Sequence, residues 1–361
     1  MKVILLLLLV SGSTLARGDA DRFLNITEKI LYWNYPTETH TITTGDGYHI
    51  EIQRIPYGRD SRSIEGCKNK RPPVLLMHGL FSSGAQYVLN PPASNTAFIF
   101  ADAGFDVWIG NVRGTEYGRK HKTLDIFDFK FWDFSWHEYQ HYDLKDTIRA
   151  FFALAPNAGS IHPAGLLNLL QIPFLETLLQ FLTQHLPSFG VGLPKFISTM
   201  AGSVCGYPII GQICVAAASQ GPESYVQINT TRLPVYIEPF PSFTSTLNLL
   251  HWAQIYKYKS LRMLDKGKEY NLKKYGTEIP PAYNLSNIHA STEIFYSSDD
   301  HIADAAGVNE VILKTIGPGL RKTHSFQHYS HFDYAVGLLA PDEIYHPIVN
   351  TIYEDVKRDG C

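Results

Sequence analysis

The sequence predicts an α/β fold built on an open, mostly parallel sheet. Two short apolar runs, Val74–Met77 and Phe105–Ile109, read as strands buried on both faces. Each stops at a glycine-containing exit, His78-Gly79-Leu80 and Gly110-Asn111-Val112-Arg113-Gly114, and a helical stretch around Asn95–Gly104 lies between them. The same strand and helix rhythm returns after residue 285. Strand, helix, strand with glycine-rich exits is the pattern of a parallel sheet. In such sheets the ligand site lies beyond the carboxyl ends of the strands.

The chain is long enough for a sizeable core: 361 residues, 45% hydrophobic and 18% charged. That composition excludes a disordered or collagen-like chain. The 31 basic and 34 acidic residues leave a net charge of −3, which gives no electrostatic case for nucleic acid.

Residues 1–16, MKVILLLLLVSGSTLA, place one lysine before an apolar run and small residues after it. That is the pattern of a secretory signal peptide cleaved after Ala16, too short to span a bilayer. No later segment reads as transmembrane, since Leu166–Leu182 is broken by Pro173. Entry into the secretory pathway makes Asn25, Asn229 and Asn284, each in an N-x-S/T sequon, candidate glycosylation sites. It also permits disulfides. Four cysteines allow three connectivities. Cys205 and Cys214 are close in sequence, with Gly206, Pro208 and Gly211 suiting a small loop, and are expected to pair. Cys67 with Cys361 is the leftover option.

Along the chain, residues 40–55 alternate around Gly45-Asp46-Gly47, a hairpin signal. Ser135–Ile148 reads as an amphipathic helix, and Phe151–Pro156 as another buried strand. No turn residue separates these two, which is anomalous. Residues 157–285 break the α/β rhythm. There Leu166, Leu170, Phe174, Leu178 and Leu182 form a helical apolar stripe, read first as core packing and also as the inner face of a cap over apolar substrate. Ile294–Tyr296 is a short strand ending at Ser297-Ser298-Asp299-Asp300. Asp304 is placed to N-cap a helix stopped by Gly317 and Pro318. A strand at Ser325–His328 leads to Tyr329-Ser330-His331, and the last helix runs from about Pro341 to Val356.

Strand, Asp300, helix, strand, His331 is the order of the second half of an α/β-hydrolase triad. The acid fixes the imidazole tautomer and the histidine takes the nucleophile's proton. Asp299 and His328 are the near rivals. The backbone N–H just past the first buried strand contributes to the oxyanion hole in that fold, which makes Leu80 the candidate donor.

These residues sit in a chain that resembles the secreted acid lipases, the gastric and lysosomal acid lipase family. The matching runs include YWNYPTETHTITTGDGYHIEIQRIPYG, HGLFSSGAQYVLNPPASNTAFIFADAGFDVWIGNVRGTEYGRKH, WHEYQHYDLKDTI, FFALAPNA, SSDDHIAD and HYSHFDY, spread over roughly residues 25–355. The resemblance implies hydrolysis of triacylglycerols or sterol esters at a lipid–water interface by a Ser–His–Asp mechanism without metal or organic cofactor. It puts Asp300 on the triad acid, His331 on the base, Leu80 on the first oxyanion donor and Cys205 with Cys214 on a cap disulfide. It also implies a core of residues 17–156 and 286–361 with a cap and lid at 157–285.

One part is missing. The family carries its nucleophile in a Gly-His-Ser-Gln-Gly elbow between a strand and a helix, and this sequence has no G-x-S-x-G. In the family the elbow lies between the segments matching YDLKDTI and FFALAP. Here Ile148 is followed directly by Arg149 and Ala150, so the central elbow strand is expected to be deleted, and the second oxyanion donor with it. Ser219, in Ala217-Ala218-Ser219-Gln220-Gly221, is a loosened elbow motif and a weak alternative nucleophile, and Ser203 is weaker still. A sheet that loses this strand either closes up or keeps two unpaired edges.

Overall fold

The Gly45-Asp46-Gly47 turn closes the first hairpin, which pairs β1 (Glu38–Thr43) antiparallel with β2 (Tyr48–Ile55). Gly47 has φ of +100° there, and a Cβ at that position would stand 2.7 Å from the His121 ring. The computed structural model describes residues 19–60, 63–64, 71–140, 147–159, 174, 177–178, 180–181, 186–219 and 227–359. The expected signal peptide, most of the Leu166–Leu182 stripe, Cys67 and Cys361 lie outside them.

The two apolar runs form β3 (Pro73–Leu76) and β4 (Asp106–Ile109), parallel to each other. The helix between them, α2 (Thr96–Asp102, following α1 at Ile26–Tyr32), is capped by Asn95 and buries Ala97, Phe98 and Ala101 completely. A short β5 (Lys120–His121) adds to β2, and β6 (Ala150–Leu154) follows the turnless junction. A two-stranded ribbon of β7 (Gly190–Val191) and β8 (Thr244–Ser245) lies among the helices between β6 and β9 (Ser291–Ser297). The last strand, β10 (Leu320–Phe326), starts earlier than the expected Ser325–His328. Asp304 caps the following helix as expected, accepting the Gly307 N–H at 2.6 Å.

The sheet is in two pieces. One has the order β1-β2-β4-β3 with β5 beside β2, the other β10-β9-β6, and β3 does not pair with β6. The parallel pairs β3–β4, β6–β9 and β9–β10 agree with the parallel sheet that the sequence predicts. Two expectations are corrected by this break. Val74–Met77 and Phe151–Pro156 read as strands buried on both faces, yet Leu75 is 61% exposed and Met77 and Phe151 are each 48% exposed. A continuous apolar strand is buried only where both faces of its sheet are covered, and Leu75 lies beside Trp108 and Arg54 on a face left open. Each such side chain, about half exposed, forgoes roughly half of the ~1.5–3 kcal/mol that full burial contributes.

The Ser135–Ile148 helix is also corrected. A 3-10 turn covers Trp136–Gln140, residues 141–146 are outside the described set, and Thr147–Arg149 are not helical. Ser135 and Glu138 do form a helix-start exchange, with the Ser135 N–H donating to Glu138 Oε2 at 2.6 Å. Trp136 is then held flat on His251 with ring centroids 4.0 Å apart. Ile148 and Arg149 cannot close a helix because they run straight into β6.

The C-terminal helix His346–Asp359 crosses between the half-sheets. Its Tyr353 stacks on Phe105 before β4 at 5.5 Å and donates its hydroxyl to the Ala103 carbonyl. Its Asp355 pairs with Arg321 of β10 at 2.8 Å.

Candidate active site

The turn after β9 places Asp300, 1% exposed, with its carboxylate facing inward. Oδ1 accepts the backbone N–H groups of Ile302 and Ala303, both at 2.8 Å. Oδ2 is 2.9 Å from His331 Nδ1. With the carboxylate already accepting, Nδ1 carries the proton and Nε2 presents its lone pair. Burial pushes the His331 imidazole down, and the charge and hydrogen bond of Asp300 more than offset this, so its pKa stands above the ordinary histidine value. Among the described residues, Asp300 is the hydrogen-bond partner recorded for the His331 ring.

The rivals pair with each other instead. His328 Nδ1 is 3.3 Å from Asp299 Oδ2, and the same oxygen accepts the His328 N–H at 3.2 Å. That pair is far more exposed than Asp300 with His331.

The loop that carries His331 is tied by Asp333, a residue the sequence reading passed over. Its buried carboxylate accepts the Ser330 N–H and hydroxyl at 2.7 and 2.8 Å, and the Gln227 N–H at 3.1 Å. Burial raises its pKa to about 6 against the pull of those donors. The S-x-x-D spacing of Ser330 and Asp333 was the available signal.

Leu80 follows β3 at the same cavity as His331. Its backbone N–H has no recorded acceptor among the described residues. Phe81 beside it adopts φ of +60°, and its carbonyl accepts the Ser242 N–H at 2.6 Å, which fixes the turn. His78 donates Nδ1–H to the Gly79 carbonyl, and its buried Nε2 has no partner among the described residues. Burial pushes its pKa down to about 4.

The cavity measures about 2100 Å³. It takes in Leu80, His331 and Phe332 at one end and runs between β3 and β6 to the C-terminal helix.

Ser219 is the last residue of the helix Pro208–Ser219, not a strand-to-helix turn, and its side chain is outside the described set. Ser203 Oγ donates to the Thr199 carbonyl at 2.8 Å and accepts from Arg22. The Cys205–Cys214 disulfide is present and joins the helices Lys195–Cys205 and Pro208–Ser219. These two helices present Phe196, Met200, Val204, Ile209 and Ile213 to the exterior, with Ile209 79% exposed. No single described helix is long and apolar enough to cross a membrane. No group of side chains suited to a metal is found among the described residues. Asn25 and Asn284 are exposed and Asn229 is half-buried.

Known proteins match this arrangement. A family profile described as "Partial alpha/beta-hydrolase lipase region" matches residues 26–91. Lipase lipl-1 of Caenorhabditis elegans is 33% identical over 402 aligned positions that cover 98% of each chain. Human lysosomal acid lipase/cholesteryl ester hydrolase is 31% identical, covering 94% of this chain and 93% of its own. Human gastric triacylglycerol lipase is 31% identical, covering 94% of each. An alignment of 402 positions that uses about 354 residues of this chain leaves about 48 positions of the alignment opposite gaps in it. The fold also matches a soluble variant of monoglyceride lipase from Saccharomyces cerevisiae, with a TM-score of 0.50 at 12% identity over 90% of this chain and 96% of that one. With identities above 30% across nearly its whole length, the chain belongs to the lipase family of the lysosomal acid and gastric lipases, on an α/β-hydrolase fold.

Proposed function

We propose that this protein serves lipid catabolism in a secreted or lysosomal setting, taking triacylglycerols or sterol esters at a lipid–water interface. We further propose that the 361-residue chain holds the proton-transfer half of the esterase machinery without its nucleophile. The observation that carries the reading is the hydrogen-bonded Asp300–His331 pair, whose His331 opens onto a large apolar cavity. The relatives act on the corresponding esters by name.

In the complete scheme Asp300 orients and stabilises the imidazole, and His331 Nε2 takes the proton of a serine hydroxyl as that oxygen attacks the ester carbonyl. The carbonyl oxygen gathers negative charge, which in this reading the Leu80 N–H meets. The proton then leaves with the alcohol, and water releases the fatty acid by the reverse steps. This sequence offers His331 no serine on an elbow, and without one no acyl-enzyme forms. About 48 alignment positions opposite gaps are enough for a lost strand, elbow and helix, and the absent elbow motif between the segments flanking Ile148–Arg149 puts the loss there in this reading.

Residues 157–285 act in this reading as the cap, and its exposed apolar hairpin at residues 196–213 is the surface that meets lipid. The starting run 1–16 directs the chain into the secretory pathway. A second reading, a non-catalytic lipid-binding protein, is favoured by the same apolar cavity in a chain without a nucleophile.

The test is purified, monodisperse protein given a short-chain chromogenic ester, a triglyceride emulsion and a fluorescent sterol ester. Saturable binding of the lipids is expected, with no turnover above background. Robust hydrolysis abolished by His331→Ala would refute the inactive form, and if Ser219→Ala also abolished it, Ser219 would be the nucleophile.

A further inference from the structure

We infer that the cleft between β3 and β6 is a strand-acceptor site, which takes an extended apolar polypeptide segment from a second molecule as a parallel central strand. The inference rests on the interrupted sheet and not on the lipase reading.

Five consecutive residues of one edge, Pro73–Met77, line the cleft, and so do all the residues of β6. Side chains alternate between the faces of a strand, so a cavity touched by every residue in turn reaches the edge of the strand, and Arg54, Asp106 and Trp108 carry it on over one face of the half-sheet. The backbone groups that point into it follow from the pairing on the far side. The Pro72 and Leu76 carbonyls accept from Asp106 and Gly110 of the β4 side. Pro72, Val74 and Leu76 therefore face β4, and Leu75 turns its N–H and carbonyl into the cleft. On the opposite wall the Arg149 carbonyl accepts from Ser291, and the Ala155 N–H donates to Phe295. Ala150, Phe152 and Leu154 therefore turn their N–H and carbonyl groups into the cleft. The Pro73 carbonyl joins them, and as a proline it has no N–H to satisfy, which suits the first residue of an edge strand.

An acyl chain filling this space would leave the N–H groups of Leu75, Ala150, Phe152 and Leu154 unpaired, at a cost for each. A polypeptide strand offers donors and acceptors to both walls at alternate residues. β3 runs parallel to β4 and β6 runs parallel to β9, so a strand that runs with either wall extends that sheet in its own sense. Phe100, Ile348, Ile352 and Val356 also line the cleft, which sets apolar side chains as the requirement.

The probe is a fluorescein-labelled synthetic peptide of five alternating valine and isoleucine residues between paired lysines, added to the full secreted chain. Saturable anisotropy is expected, with amide exchange at Leu75, Ala150, Phe152 and Leu154 slowed at least tenfold and exchange in β1 and β2 unchanged. Methylating the first, third and fifth valine or isoleucine backbone nitrogens breaks pairing with one wall, and methylating the second and fourth breaks pairing with the other. Each is expected to weaken binding at least tenfold. Binding indifferent to both methylations would make the cleft a pocket for any apolar ligand and overturn the inference. Absence of binding would overturn it too, as would fast exchange throughout β9 and β10, because the interrupted sheet would then not persist.

Discussion

The Asp300 carboxylate receives the Nδ1 proton of His331 at 2.9 Å while two backbone N–H groups hold its other oxygen. This fixes both the rotamer of the acid and the tautomer of the base before any substrate arrives. In the proposed scheme such a pair needs a hydroxyl within reach of Nε2.

Supplying that hydroxyl should create an enzyme. A chain carrying a family-type strand, Gly-His-Ser-Gln-Gly elbow and helix between Ile148 and Arg149 is expected to hydrolyse a chromogenic ester. Asp300→Asn or His331→Ala in that chain should lower kcat by roughly 10⁴-fold. Failure of a well-folded restored chain to turn over ester would show that the acid and base are assigned wrongly.

Acidity should favour the loop that carries His331. Asp333 has a folded-state pKa of about 6, above its ordinary value. Its contribution is fully present below the unfolded carboxylate pKa and is lost as pH rises through about 6. Between pH 7.5 and pH 5 the native chain is expected to gain about 1.4 kcal/mol relative to Asp333→Asn. Urea titrations of both proteins at the two pH values measure the difference, and parallel pH dependences would contradict it.

The N-terminal segment is bound to the middle of the chain by buried ion pairs. Arg22 meets Glu238 at 3.3 Å, and Arg232 meets Asp21 at 2.7 Å. Glu238→Ala leaves the Arg22 guanidinium buried without its carboxylate, and a loss of about 3–5 kcal/mol is expected. The double substitution Arg22→Met with Glu238→Leu should cost much less. Denaturant midpoints of the three chains decide this.

Exposed Asn25 and Asn284 are expected to carry glycans when the chain is secreted from a eukaryotic host. Each Asn→Gln change should remove one step of the mobility shift that glycosidase treatment abolishes. Half-buried Asn229 is expected to be modified least. Retention of residues 1–16 with no shift at all would refute secretory entry.

Non-reducing peptide mapping should recover Cys205 and Cys214 in one linked species, and free thiols at both would contradict the structure.

The sequence made the local rules legible. Gly45-Asp46-Gly47 marked its hairpin, Asp304 its helix start, and the order of strand ends brought Asp300 to His331. The choice of Asp300 over Asp299 came from the family resemblance, because residue order alone does not say which of two adjacent side chains faces inward. Burial of Leu75 and Phe151 was misread for a related reason: an apolar run reports what a strand requires, not whether a neighbour is present. The turnless Ile148–Arg149 junction was the one local sign of that vacancy. The Arg22–Glu238 and Arg232–Asp21 pairs span more than 200 positions and leave no periodic trace. Asp333 was overlooked although S-x-x-D marked its local bonds to Ser330, and its tie to Gln227, 106 positions away, leaves no local trace.

The C-terminal helix gives the broken sheet its remaining mechanical unity. Tyr353 grips the β4 side through Phe105 and Ala103, while Asp355 grips β10 through Arg321. With no ladder of hydrogen bonds between the half-sheets among the described residues, cooperativity passes through this strut and the core beneath it. Loosening either grip leaves the shared core as the remaining link, so that Tyr353→Ala is expected to broaden the calorimetric transition.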